Sequence, residues 1–582
     1  MIPQSLPFPL NVYALTLQLE YGQVTHLHYG VFEDPMDESE SYPQAQQRAQ
    51  DALCALLPPA PASILEIGFG SGALAKNLAA QGYEVTALTC LRTEFDSVKG
   101  DDKANVEFKL GAVSTFKCVQ RFDVVLLQQS TQYIDSLELL ALSNEVLREG
   151  GQLLLAEEFT LDDSKIGEEP RPVLASFRQL AERCGFTTQR QRELGRQVAP
   201  GLRLFIALMQ KHHGVLVNEY DVSADALTRL IATMGEMATK YEDVRLAYTL
   251  LDLRKEKAAE NQTRFGSINA FAMQEIPALF EKSFDAPFDP EIWQWKYGEG
   301  RGRAVCVRDE NKLHAHYGGA PRDILYFGEQ HKAMQICDVM VLPQYRSFVS
   351  RDTLFFKTAA TLLEQQVGNC SEHLLGFGFP NKRVLRMAQR LGLYDVTDRF
   401  VEIDYPTDEK NKNSHNYVVD VFDNESKSAK EQANALWQSM VGSFQDKIIG
   451  LRDWDYLQYR YFTHPLWARG EYECLMIRGV TQSGPLALAF LKPHEGGRLL
   501  MDLVGDVQMF PEFLTALRDH LAQRSLSLRS RITHAHAPLL SLAHSNCHEL
   551  GIEIPCNIWT RGPAVDTLRG AWWLTAGDMD FL

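Results

Sequence analysis

The chain has 582 residues, 45% hydrophobic and 23% charged, which is too long for one core and enough for about three. Its net charge of −17 excludes a general nucleic-acid binder, because phosphate affinity rests on clustered Lys and Arg. No apolar run reaches the ~20 residues that span a bilayer, no basic segment precedes the first apolar stretch, and the ten cysteines form no CxxC pair, so the expected compartment is the cytoplasm.

Short apolar runs alternate with helical patterns through the first third, predicting a mainly parallel sheet covered by helices. SILEIGFG, YEVTALT, RFDVVLLQ and GGQLLLAEE read as strands, and residues 72–81, 136–148 and 171–184 as helices. GLRLFIALMQ (201–210) reads as a final strand, and the polar KHHG at 211–214 as a boundary. His212-His213 and the alternating His314 and His316 have no acidic or thiol partner at ligand spacing, so no metal site is expected. Residues 222–262 are rich in Ala, Leu, Lys and Glu without proline, which predicts a helical linker over 212–264.

From Phe265 strands and helices mix to the end, with a polar surface linker expected around one strand at 405–430. Trp293-Gln294-Trp295-Lys296-Tyr297 is echoed by Leu457-Gln458-Tyr459-Arg460-Tyr461, and Asp338 and Asp502 each follow 41 residues after the tyrosine. That spacing predicts a duplicated unit over 265–404 and 405–582. Trp572 and Trp573 read as core residues of an edge strand.

Glu66-Ile67-Gly68-Phe69-Gly70-Ser71-Gly72 follows the apolar SIL and opens the helix ALAKNLAAQG. Glycines let backbone approach a ligand closely, and a helix start presents free amides to polar groups. A GxGxG by itself also serves dinucleotides. Downstream, FDVVLL (122–127), a helix at 136–148 and Leu147-Arg148-Glu149-Gly150-Gly151 complete a pattern that resembles class I S-adenosylmethionine-dependent methyltransferases over residues 1–211.

The resemblance implies a Rossmann-like fold with S-adenosylmethionine as cofactor. Glu66 would then contact the methionine amino group through water or backbone, and Gly68, Gly70 and Gly72 would line the methionine moiety. The acid that usually ends the second strand is replaced by Thr89, similar to the cyclopropane-fatty-acid-synthase branch, and Gly111-Ala112 stands in place of an aspartate. LHYGVFEDP resembles the N-terminal cap of small-molecule methyltransferases, which puts Tyr29 near the cofactor; packing against the sheet edge is the alternative. Gln128, also a candidate cofactor contact, is expected to face the acceptor with Gln129 and Tyr133, as are Glu157 and Glu158. Either glutamate would deprotonate an amine or hydroxyl, or serve as a structural or solvated carboxylate.

Residues 265–400 resemble the GNAT superfamily of N-acyltransferases in RAVCVRD with LHAHYGGAPRDI, in CDVMVLPQYRSFVSRDTLFFKTAATLLEQ, and in GFGFPNKRVLRMAQRLGLY. The resemblance implies a loop whose amides wrap the coenzyme A pyrophosphate at a helix start. Ser347 and Val349 stand where that loop usually has glycines, and Arg346 and Arg351 add charge, so Arg346, Ser347 and Arg351 are the candidate contacts. Ala388 occupies the place of the tyrosine often used as general acid. The repeat makes 405–582 a second, diverged unit without a recognisable pyrophosphate loop.

The expected architecture is α/β: a Rossmann-like methyltransferase domain, a helical linker, then two GNAT-like α+β domains. The expected function is a two-function biosynthetic enzyme, a methyltransferase joined to an acyltransferase using acetyl-CoA or another acyl-CoA, acting on a small-molecule or carrier-linked acceptor. The alternatives are a methyltransferase whose GNAT-like half only binds acceptor or partner, and a non-catalytic scaffold.

Overall fold

The computed structural model describes residues 6–579 except 23, 25, 34–39, 99–104, 162–170, 258–262, 269–272, 310–311, 347–349, 369–370, 407–415 and 483. The chain divides into two compact units, residues 1–275 with 306–313 and residues 276–305 with 314–582. Among the described residues, no helix is long and apolar enough to cross a membrane.

The first unit is built on seven strands: β1 (Ser63–Ile67), β2 (Glu84–Thr89), β3 (Val106–Leu110), β4 (Phe122–Gln128), β5 (Leu147–Thr160), β6 (Phe186–Glu193) and β7 (Leu246–Lys255). Their order is β3-β2-β1-β4-β5-β7-β6. The first five are parallel, and β7 runs antiparallel between β5 and β6. Every residue of β1 is buried, as expected for a strand covered on both faces.

Two expectations are corrected here. Residues 201–210 are not a strand but the second half of a helix, Gly195–Lys211. Its buried Val198, Leu202, Phe205, Leu208 and Met209 recur at helical spacing, a stripe that the local alternation of LRLFIALM hides. The stretch 222–262 is not helical throughout: a helix, Ala224–Glu242, gives way to β7. The turn between them passes through Val244 at φ 58°, a left-handed position with no glycine to announce it. The linker expected at 212–264 therefore supplies a sheet strand, and the sheet that begins at β1 is completed only beyond residue 211.

The second unit carries the duplication. Its first copy runs through the hairpin Leu313–Tyr326 and Glu329–Val341, helix Leu354–Gln366, strand Leu375–Gly378, helix Lys382–Arg390 and strand Tyr394–Tyr405. The second runs through Ala487–His494 and Gly497–Gly505, helix Phe510–Gln523, strand Ser527–Thr533, helix Ala537–Leu540 and strand Asn546–Asn557. In each copy the second hairpin strand pairs in parallel with the strand after the helix. The final strands are exchanged: Asn546–Asn557 pairs with Leu375–Gly378, and Tyr394–Tyr405 with Ser527–Thr533. One sheet therefore continues through the boundary expected near residue 404.

The echoed sequence motifs do equivalent work. Tyr297 donates to Asp338 Oδ2 at 2.8 Å, and Tyr461 to Asp502 Oδ2 at 2.5 Å. Asp289 and Asp453 cap the two helices that carry the motifs. Trp295 and its counterpart Tyr459 stack on each other, ring centroids 4.7 Å apart, and the indole N–H donates to the Tyr459 carbonyl.

Candidate active sites

The glycine loop leaves β1 with Gly68, Gly70 and Gly72 all at positive φ. A Cβ on Gly68 would stand 2.6 Å from the Ser130 Cβ, so that glycine is demanded by packing. A Cβ on Gly70 would meet no described atom within 4 Å, so the backbone there borders open space. Glu66, at the end of β1, is buried, and its Oε2 has no hydrogen-bond partner among the described residues. Burial, then the nearby Glu94 charge, pushes the Glu66 carboxyl up to about 8. An orphaned buried carboxyl oxygen beside an open loop suits a ligand amino group, whose positive charge would favour the ionised form.

Thr89 ends β2 and donates to Glu94 Oε2 at 2.6 Å, while accepting the Leu91 N–H. Burial raises the Glu94 carboxyl, opposed by the Thr89 hydroxyl and the Gly70 amide. Glu94 thus brings to the loop the acid that the end of β2 lacks. Sequence reading missed it because it lies five residues past the strand, in the first turn of the helix Arg92–Val98.

Beyond β4 the chain turns through Gln129 at φ 53°. Its side-chain oxygen accepts the Tyr29 N–H at 2.6 Å, which ties the N-terminal cap to the strand end beside Gln128. Burial and the Glu158 charge hold the Tyr29 phenol protonated well past its ordinary range. Tyr133 lies in the following turn and is 60% exposed.

The two glutamates of β5 are committed elsewhere. Glu157 accepts from the Ser130 N–H at 3.0 Å and the Thr131 hydroxyl at 2.9 Å, and burial pushes its carboxyl up to about 8. Glu158 binds Arg171 Nε at 3.0 Å and the Tyr241 hydroxyl at 2.6 Å. Both are buried, and each of their oxygens accepts a hydrogen bond from a neighbouring loop or helix.

In the second unit, Glu329–Val341 and Leu375–Gly378 pair from Ala333 to Ile336 and then part. A cavity of about 460 Å³ opens there, walled by Ile336, Asp338, Phe355, Phe379, Leu385 and Ala388 among others. Asp338 accepts from Lys296 at 2.9 Å as well as from Tyr297. The two arginines expected at pyrophosphate also have partners within the protein. Arg346 donates to the Val341 carbonyl at 2.7 Å, tying the loop to its own strand. Arg351 lies over the rings of Phe356 and Trp559, at 5.7 and 5.2 Å. Ser347 lies outside the described residues.

The second copy is closed at the corresponding point. Its strands pair from Gly497 to Leu500, and Thr575 then bridges Ile532. The C-terminal segment lies in the gap: Thr575 donates to Asp502 Oδ1 at 2.7 Å, and a Cβ on Gly577 would fall 2.2 Å from Asp502 Oδ2. Arg452, fully buried, joins Asp502 at 2.9 Å to Asp578 at 2.7 Å. Trp572 and Trp573, just before that segment, are buried, Trp572 against Phe377 and Trp573 in the core of the second copy. Among the described residues, no group of three His, Cys, Asp or Glu is placed to hold a metal.

The family described as "Methyltransferase domain" matches residues 65–155, and that described as "Acetyltransferase (GNAT) domain" matches residues 264–395. The chain therefore carries a methyltransferase domain and a GNAT domain. It is an enzyme of the methyltransferase class. Solved structures similar to the methyltransferase domain include the cyclopropane synthase MmaA2 from Mycobacterium tuberculosis, at 18% identity, 39% of this chain, 89% of that chain and a TM-score of 0.35. Another is coclaurine N-methyltransferase bound to N-methylheliamine and SAH, at 18% identity, 39% and 75% coverage and a TM-score of 0.34. No curated protein matches the chain.

Proposed function

We propose that the protein is a two-function biosynthetic enzyme, methylating through its first domain and transferring an acyl group through the first GNAT copy, on a small-molecule or carrier-linked acceptor. The observation that carries the methyltransferase half is the unpartnered Glu66 oxygen beside the open space at Gly70. S-adenosylmethionine, when bound, supplies a methyl group on a sulfonium. Glu66 would hold its amino group, the 66–72 backbone would line its methionine moiety, and Glu94 with Thr89 would hold its ribose hydroxyls. Methyl transfer needs in-line approach more than acid–base chemistry, which agrees with Glu157 and Glu158 being committed to structural bonds.

The open cavity of the first GNAT copy supports acyl-CoA binding there, whereas the second copy is filled by its own C-terminal segment. Ala388, with no group to titrate, favours a second reading in which the GNAT-like half only binds acceptor. Calorimetric titration with S-adenosylmethionine and acetyl-CoA tests both halves. Binding of each at one site per chain is expected. Failure of acetyl-CoA to bind favours the second reading; failure of S-adenosylmethionine to bind removes both.

A further inference from the structure

The cavity of the first GNAT copy, which would take the pantetheine arm of an acyl-CoA as well as its acyl group, has an end that is more apolar than an acetyl group requires. It holds about 460 Å³ in all. Its walls are aromatic and aliphatic: Phe280, Phe355, Phe379, Val384 and Leu385. Several of the polar side-chain groups beside them are turned to internal partners. The Tyr317 and Tyr394 hydroxyls bond each other at 2.9 Å, the Asn381 side-chain oxygen caps its own helix at the Val384 N–H, and Asp338 is held by Lys296 and Tyr297. An acyl group lying against these apolar walls gains mainly burial.

Ala388 makes the room. It is buried on the helix Lys382–Arg390 and lines the cavity with a single methyl, where the family resemblance leads one to expect a phenol. A ring at this position would occupy the space that the methyl leaves.

We propose that this cavity selects an acyl chain longer than acetyl, a medium-length apolar chain lying against Phe355, Phe379, Leu385 and Ala388. This rests on the reading above, that the first GNAT copy binds acyl-CoA. Each methylene that becomes fully buried is worth about fourfold in affinity. Octanoyl-CoA, with six more methylenes than acetyl-CoA, is therefore expected to bind at least tenfold more tightly even if the chain is buried only in part.

The test is calorimetric titration of the full chain with coenzyme A, acetyl-CoA and octanoyl-CoA, repeated on Ala388→Phe. The readout is the octanoyl-to-acetyl affinity ratio, which partial loss of folded variant does not alter. A ratio of at least ten in the wild type, falling to near one in Ala388→Phe, supports the proposal. Equal affinities for the three ligands overturn it while leaving the acyl-CoA reading intact. A high ratio that Ala388→Phe leaves unchanged overturns the placement of the chain. Absence of binding by all three overturns the acyl-CoA reading, and the proposal falls with it.

Discussion

Glu66 carries a carboxyl that burial and Glu94 push from 4.5 to about 8. The folded protein keeps this proton at pH values where the unfolded chain has released it. The group's contribution to stability is therefore full below about pH 4.5 and is lost as pH rises to about 8. Glu157 acts in the same direction, its carboxyl also pushed by burial to about 8. Glu66→Gln should raise the melting temperature of the ligand-free protein at pH 8 and remove part of the decline from pH 5 to 8. Scanning calorimetry over that range checks it, and an unchanged slope would refute the assignment. At Gly70 a β-branched side chain would both resist φ 54° and fill the open space. Gly70→Val should abolish S-adenosylmethionine binding while leaving near-native circular dichroism; wild-type affinity in the variant would place the cofactor elsewhere. Gly70 was legible because glycines at a strand-to-helix turn have a backbone reason. Glu94 was not, because an acid in a first helical turn is also an ordinary partner of the helix dipole.

β7 is the element on which the first unit depends. It lies between β5 and β6 and bonds to both, and Leu246, Tyr248 and Leu250 join the same core as Val198, Leu202 and Phe205 of the helix Gly195–Lys211. A fragment ending at residue 215 would leave β5 and β6 without their shared neighbour, exposing backbone groups and apolar surface. Residues 1–215 should therefore fail to melt cooperatively, whereas 1–275 should fold and bind S-adenosylmethionine. Circular dichroism melts of the two fragments decide this, and a cooperative 1–215 would show that β7 is dispensable. The helical expectation for 222–262 held through Glu242 and failed at β7, while 258–262 lie outside the described residues. A fully buried strand is a continuous apolar run, and periodicity cannot separate it from a buried helix when the intervening turn lacks glycine and proline.

Across the whole molecule, two copies of one topology have diverged into an open and a filled form. The filled form depends on Arg452, whose guanidinium is buried between Asp502 and Asp578. Removing one partner of such a buried cluster leaves uncompensated charge, at a cost of about 3–5 kcal/mol. Arg452→Met should destabilise the full chain by that amount in chemical denaturation, and a loss under 1 kcal/mol would mean that the closure is not held electrostatically.

The sequence by itself determined what local chemistry demands. The glycine loop, the strands buried on both faces, the capped helices and the spacing of Tyr297 to Asp338 and Tyr461 to Asp502 all follow from backbone conformation and short-range periodicity. Tertiary structure decided what depends on partners distant along the chain. Glu157 and Glu158 accept hydrogen bonds from Ser130, Thr131, Arg171 and Tyr241, partners that no local pattern announces. Arg346 and Arg351 found a carbonyl and two aromatic rings. A carboxylate or guanidinium offers the same chemistry to a ligand as to a neighbouring side chain, and only the fold determines which of the two reaches it first.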